Sequence, residues 1–239
     1  MVFRRMPIHQ AYALNVDSSE SAAGPTLAST VTARLRMAII TGNLTPGAKI
    51  NIDRVRDQLG VSLSPLREAL SRLLAEGFLT FQDNRGYRVA PVSEGDLRQI
   101  SRLRIKLETF ALREAIELGD QRWEEAVLLR LEELRAIRCD PKDLHSVEQY
   151  EDAHRNFHVE LISACEMPLL LQFSHTLHGL SDRYRRIFIA APHLAVDRVH
   201  EHVEIATAAV ERRSSEAVGL LKRHIEKTSR QIAKMIPSS

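Results

Sequence analysis

The sequence predicts a mainly α chain of two domains: an N-terminal unit of three helices closed by a β-hairpin, then an all-helical bundle. Three observations carry this. Helical periodicity begins at Val31 and continues to Leu74 in three segments punctuated by glycines. The β-prone runs Phe78-Leu79-Thr80-Phe81 and Tyr87-Arg88-Val89-Ala90 flank the turn sequence Asp83-Asn84-Arg85-Gly86. From Glu94 to Ile236 only the helical period remains. A length of 239 residues suits two domains, and 44% hydrophobic with 27% charged residues is an ordinary balance for a globular chain.

Residues 1–28 are rich in small and polar types and are expected to form a flexible arm. The first helix places Val31, Leu35, Ala38, Ile39 and Ile40 on its core face and stops at Gly42, before the Pro46-Gly47 turn. Asn51 is a fitting N-cap for a short second helix with Ile52, Val55 and Leu59 on one face, and Gly60 ends it. Ser62 and Ser64 are alternative caps for a third helix, which has Pro65 in its first turn. That helix is expected to run to about Glu76 and to bury Leu66, Ala69, Leu70, Leu73 and Leu74. Ser93, with Asp96 three residues on, caps the first helix of the second domain. Breaks near Gly119, Asp140-Pro141, Glu166-Met167-Pro168, Ala191-Pro192 and Arg213-Ser215 divide the rest into six helices and no sheet. The boundaries expected are thus 1–28, 29–92 and 93–236.

Helix, helix, helix, hairpin is the order of a winged helix-turn-helix. Formal net charge is only +2 overall, yet residues 30–92 carry nine basic and five acidic side chains. A basic N-terminal third on a near-neutral chain suits one domain that meets phosphate and another that does not. The third helix then enters the major groove of double-stranded DNA with Ser62, Ser64, Arg67 and Ser71, while Arg85 and Arg88 on the wing touch the backbone or minor groove. One such helix reads too few base pairs for adequate specificity, which predicts a homodimer. Cys139 and Cys165 show neither zinc-finger spacing nor a disulfide framework, and no apolar run approaches a membrane span. A cytoplasmic protein without a membrane partner is expected.

Four of the ten histidines have informative spacing. His154 and His158 are four apart and share a helical face. His202 and His224 lie at equal offsets on either side of the break at Arg213, so an antiparallel helix pair brings them to one height. Imidazoles converging from three helices make a first-row transition-metal site, with zinc the leading candidate and nickel or iron alternatives. Open coordination positions there suit a small carboxylate. No His-Glu-x-x-His element is present and no general base stands out, so no enzyme is expected. A metal-dependent enzyme and a DNA binder with a purely structural metal are the competing readings. Arg183 to Arg186 reads as a solvated cationic face or a dimer edge; His175 and His178 share a face and read as core or surface, with lining of the pocket the alternative.

The stretch LGVSLSPLREALSRLLAEGFL, followed by RGYRVAPVS, resembles the winged helix-turn-helix signature of GntR-family regulators over residues 30–92. The region C-terminal to it resembles the FCD domain of the FadR-type subgroup. The resemblance implies a transcription regulator that binds palindromic operators as a dimer under the control of a small metabolite. Leu63 stands where the family pattern has a DNA-contacting arginine, and Arg67 matches the other common contact. His158, His202 and His224 match the family's metal-ligand pattern, with His154 in its Asp position. His154 either joins the ligand set, the preferred reading, or stays out and leaves three histidines. Asp152 lies off that face. Arg104, in Arg-x-x-Leu-Glu, is implied as the contact for the effector's anionic end, its alternative being an ion pair with Glu108.

Overall fold

A computed structural model describes residues 24–140, 143–188 and 198–236. The chain divides into two compact units between Val92 and Ser93. In the first, α1 spans Leu27–Ile40, α2 Ile52–Leu59 and α3 Leu63–Ala75, followed by β1, Leu79–Gln82, and β2, Gly86–Val89. The strands pair antiparallel, with Leu79 opposite Val89 and Gln82 opposite Gly86. The turn between them takes positive φ at Asn84 and Gly86, as its composition requires. Asn51 accepts from the Arg54 amide to start α2, and Gly60, at φ 63°, ends it in the left-handed conformation that lets the chain double back into α3.

Helix α1 begins four residues before the expected Val31. The Thr26 hydroxyl accepts from the Ser29 amide, and Ala28 is already buried, so the last residues assigned to the arm belong to the domain. Leu35, Ile39, Leu66, Leu70, Leu73 and Phe78 form the core of this unit, whereas Leu74 is only half-buried. Arg36 clamps α1 to the end of α3 through three hydrogen bonds to Glu76, at 2.7, 2.8 and 3.0 Å.

The second unit has six helices and no strand among the described residues: α4 Glu94–Leu118, α5 Gln121–Ala136, α6 Leu144–Leu161, α7 Pro168–Phe188, α8 Arg198–Val210 and α9 Ser214–Ala233. A 3₁₀ turn, Ser163–Cys165, joins α6 to α7, and the break expected at Pro192 lies outside the described residues. Ser93 caps α4 by accepting from the Asp96 amide. The long α4 packs on α7 and α9, α5 packs on α6 and α8, and α8 packs on α9. Ala206, Ala208 and Ala209 are buried and keep the surface of α8 low, which permits close helix approach. No helix of the described residues is long and apolar enough to cross a membrane.

The 183–186 segment corrects the expectation of a solvated face. Arg183, Tyr184 and Arg185 are all buried. Arg185 makes two contacts with Glu151, at 2.8 and 2.9 Å, and Tyr184 donates to Asp96 at 2.8 Å. Buried cations survive only where paired, and α6 supplies the carboxylate that pairs Arg185, while Asp96 of α4 accepts from the Tyr184 hydroxyl.

Gly119 joins α4 to α5 with no room for a side chain. A Cβ there would lie 2.5 Å from the Trp123 ring and 2.6 Å from the Ala115 carbonyl oxygen. Gly119→Ala is expected to cost about 1–3 kcal/mol, the usual range for overpacking. Urea denaturation should show the midpoint fall without a change in slope.

Candidate DNA interface and candidate metal centre

Ser62, Ser64, Arg67 and Ser71 are all exposed at the start and along one side of α3. Leu66, Leu70 and Leu73 anchor the opposite side at essentially zero exposure. Ser62 is exposed and holds the N-cap position without a side-chain capping bond. Arg67 makes no ion pair or side-chain hydrogen bond among the described residues, unlike Arg72, which is tied to Glu68 and Ser29. Leu63 is 37% exposed at the first position of the helix. On the hairpin, Arg85 is exposed at the tip. Arg88 differs from expectation in being partly committed: it donates to the Gly47 carbonyl at 3.0 Å, which holds β2 against the α1–α2 connection.

In the second unit, His154 and His158 come from α6, His202 from α8 and His224 from α9. Each offers one ring nitrogen, and the four atoms lie within 4.8 Å of one another. All four residues are buried. The Nε2 atoms of His154 and His158 face each other at 3.2 Å, and the rings of His202 and His224 lie 4.6 Å apart. The equal offsets around Arg213 do place the last two side by side.

The donors suit a borderline transition metal. Burial is the largest influence holding the His154, His158 and His224 imidazoles below the usual histidine range, so they stay neutral and keep a lone pair for an ion. His154 Nδ1 and His158 Nδ1 are buried without a hydrogen-bond partner among the described residues. Ligands of a tetrahedral zinc stand about 3.4 Å apart, given bonds of about 2.0–2.1 Å. The spread of up to 4.8 Å therefore requires modest side-chain closure onto an ion.

Glu201, Glu151 and Asp182 were not expected around the histidines from the sequence, whereas His178 was weighed as a pocket-lining residue. Glu201 accepts from His224 Nδ1 at 2.7 Å, which leaves Nε2 for a metal and fixes the tautomer. Glu151 and Asp182 lie within 4.8 Å of a His154 ring nitrogen and of each other. Burial, with Glu151 adding to it, pushes the Asp182 carboxyl up to about 6. His178 is buried, and its ring centre is 5.6 Å from that of His158. Asp152 does stand apart, half-exposed and held by Arg155 and Arg186. His200 is exposed beside Glu204.

Arg104 is buried as well. It donates to both Glu108 oxygens, at 2.6 and 3.1 Å, and to Ser181 Oγ at 2.8 Å, and lies 3.2 Å from His178 Nδ1. The ion pair weighed against its anion-binding role exists, but inside the bundle. Burial raises the Glu108 carboxyl and Arg104 draws it back.

Two family models match. Residues 27–89 match the bacterial regulatory proteins of the gntR family, and residues 99–227 match the FCD domain. The chain belongs to the GntR family and carries an FCD domain. It is 36% identical over 198 residues to the HTH-type transcriptional regulator BphR of Paraburkholderia xenovorans, covering 81% of this chain and 80% of that one. With the HTH-type transcriptional repressor GlaR of Escherichia coli it shares 31% identity over 196 residues, covering 80% and 89%. Among solved structures, E. coli McbR/YncC superposes with a TM-score of 0.75 at 22% identity, over 87% of this chain and 98% of that one. A GntR regulator from Rhodococcus sp. RHA1 gives 0.72 at 21%, over 88% and 99%. At those identities the structural likeness speaks for the fold alone. As a GntR regulator with an FCD domain, the chain is a DNA-binding transcription regulator and not an enzyme.

Proposed function

We propose that this GntR-family regulator binds a palindromic operator as a homodimer and releases or tightens it when a small carboxylate binds a metal held by His154, His158, His202 and His224. The observation that carries this reading is the convergence of four buried imidazoles, one ring nitrogen of each within 4.8 Å of the others, in the same chain as a helix that exposes Ser64, Arg67 and Ser71 on one side. His154 is placed with the other three, which favours the all-histidine set over the three-histidine one. A metal bound there supplies a Lewis-acidic centre for an anion. The chain's own residues hold it, keep water out and fix the ligand tautomers.

Four protein nitrogens and an effector carboxylate need five or six coordination positions. Nickel and iron accept six readily, and zinc must expand beyond four. That same count favours the second reading: four histidines close a tetrahedral zinc, and a closed site is structural. Operator affinity separates the two. Under the first reading, metal-loaded protein shifts its affinity across a panel of carboxylates. Under the second, metal removal melts the FCD domain while no carboxylate alters DNA binding. Arg104 supports the first reading by keeping a buried cation 3.2 Å from His178 Nδ1.

Homodimer formation is supported by apolar side chains left exposed on the second unit. Leu103 and Phe110 lie seven apart on α4, and Leu169 and Phe173 four apart on α7. On the DNA side, Arg67 reads a guanine edge or grips a phosphate. Ser62, Ser64 and Ser71 allow close approach, and Arg85 and the remaining donors of Arg88 meet the backbone. Leu63 offers a thymine methyl an apolar contact instead of a charged donor. Arg67→Ala should weaken operator binding about 10- to 100-fold, the worth of a bidentate base contact. Fluorescence anisotropy on an operator selected from random duplexes measures this. If the loss is equal on unrelated DNA, Arg67 is a phosphate contact.

A further inference from the structure

Between α6 and α7 lies a cavity of about 440 Å³, open to solvent on one side. Val159, Ile162, Pro168 and Leu171 form its walls, Gln172 stands at the rim and the buried His178 at the floor. Ser163 and the exposed His175 complete the lining, and no lysine or arginine is in it among the described residues. The volume is in the range of small-molecule sites. Water in a space with such apolar walls finds few partners, whereas a hydrocarbon body gains from every methylene it buries.

The floor connects this cavity to the histidine centre. His178 Nδ1 lies 3.2 Å from Arg104 Nη2, its Nε2 lies 3.3 Å from Glu108 Oε2, and its ring centre is 5.6 Å from that of His158. One imidazole therefore separates the apolar space from a candidate metal ligand and a buried guanidinium. Val159 and Ile162 come after His158 in the chain, one and four residues on.

We propose that this cavity receives the apolar body of the effector, so that the ligand class is a monocarboxylate on an alkyl or aryl body and not a short polyacid. The inference rests on the carboxylate reading of the metal centre and adds the chemistry of the rest of the molecule. The carboxylate passes His178 and takes its place as acceptor from Arg104 Nη2. The body stays among Val159, Ile162 and Leu171. A second carboxylate on that body would meet no lysine or arginine among the described residues of the walls, only the Ser163 hydroxyl and the His175 imidazole near the mouth.

Isothermal titration of the full-length, nickel-loaded chain, whose metal accepts six ligands, tests this, with n-alkanoates from acetate to decanoate and n-alkanols of matching lengths. Affinity for the acids should rise about fourfold per added methylene until the cavity is full. Leu171→Gln should flatten that rise and leave acetate binding unchanged. The alkanols lack the carboxylate, so their length dependence should be the same in the wild type and in His202→Ala. A flat dependence in both series overturns the cavity assignment while acetate binding still upholds the metal–carboxylate reading. An unchanged slope in Leu171→Gln overturns it too. Alkanol binding with the expected slope, but no binding of any acid, overturns the metal–carboxylate reading and the ligand class with it.

Discussion

Replacing His158 with alanine is expected to lower metal affinity by about a hundred- to a thousandfold. A zinc site built from protein ligands is worth about 10–16 kcal/mol near neutral pH, and one of four ligands carries about a quarter of it. His158 is central in the cluster, with its ring centre 4.6, 5.3 and 5.2 Å from those of His154, His202 and His224. The ion binds the folded chain and not the unfolded one, so the loss is also one of stability. A metal present at a thousand times its dissociation constant adds about 4 kcal/mol, and most of that disappears in the variant. Competition with a chromogenic chelator measures affinity, and melts with and without metal measure the coupling. His200→Ala is the control, because that side chain is 80% exposed and outside the cluster. Equal metal affinity in His158→Ala and wild type would rule the cluster out as the metal centre. His154→Ala extends the test: a drop of similar size puts all four histidines on the ion.

Much of this architecture was legible because its determinants are local. Gly60 stops α2 and turns the chain, Asn51 and Ser93 cap their helices, and a change of hydrophobic period marks the hairpin. The histidine cluster was legible for a geometric reason, since positions equidistant from a helix-hairpin turn meet at one height, and residues four apart share a face. What escaped is set by residues distant in sequence. Arg185 reads as a surface cation until Glu151, 34 residues away, is folded against it. Tyr184 finds Asp96 across 88 residues. His178 looks no different from His175 along the chain, yet α4 covers the first with Arg104 and Glu108 and leaves the second exposed. The start of α1 was missed because the apolar period is silent at Leu27, which is 54% exposed, while the Thr26 cap sets the boundary.

Metal-free protein is expected to lose stability steeply as pH falls from 6.5 toward 5. Burial holds His154, His158 and His178 well below the usual histidine range, with neighbouring arginines or histidines adding to it. In the unfolded chain the same residues titrate near 6.5. Below that pH the unfolded state takes up protons that the folded state refuses, and the equilibrium moves toward unfolding. Their contribution is complete above 6.5 and drains away with acid. Each histidine contributes a limiting slope of about 1.4 kcal/mol per pH unit, so three acting together cost about 4 kcal/mol over one unit once past the midpoint. Asp182 opposes them: with its carboxyl raised to about 6, the folded state gains from protonation between there and the ordinary aspartate range. One carboxyl offsets about one histidine. Glu201 is drawn down to about 2 by His224 and Lys227, against a burial effect of opposite sign, and its contribution is lost only at lower pH, below the usual glutamate range. The balance remains a loss of a few kcal/mol per unit, large beside the 5–15 kcal/mol total stability of ordinary domains. Urea melts in a chelator at half-unit steps from pH 7.5 to 5 should show the midpoint of the FCD domain falling. A midpoint independent of pH over that range would mean that the histidines charge inside the fold, contrary to their burial. Added metal competes with the same protons, so the holo protein should hold its midpoint to lower pH before releasing the ion and the fold together.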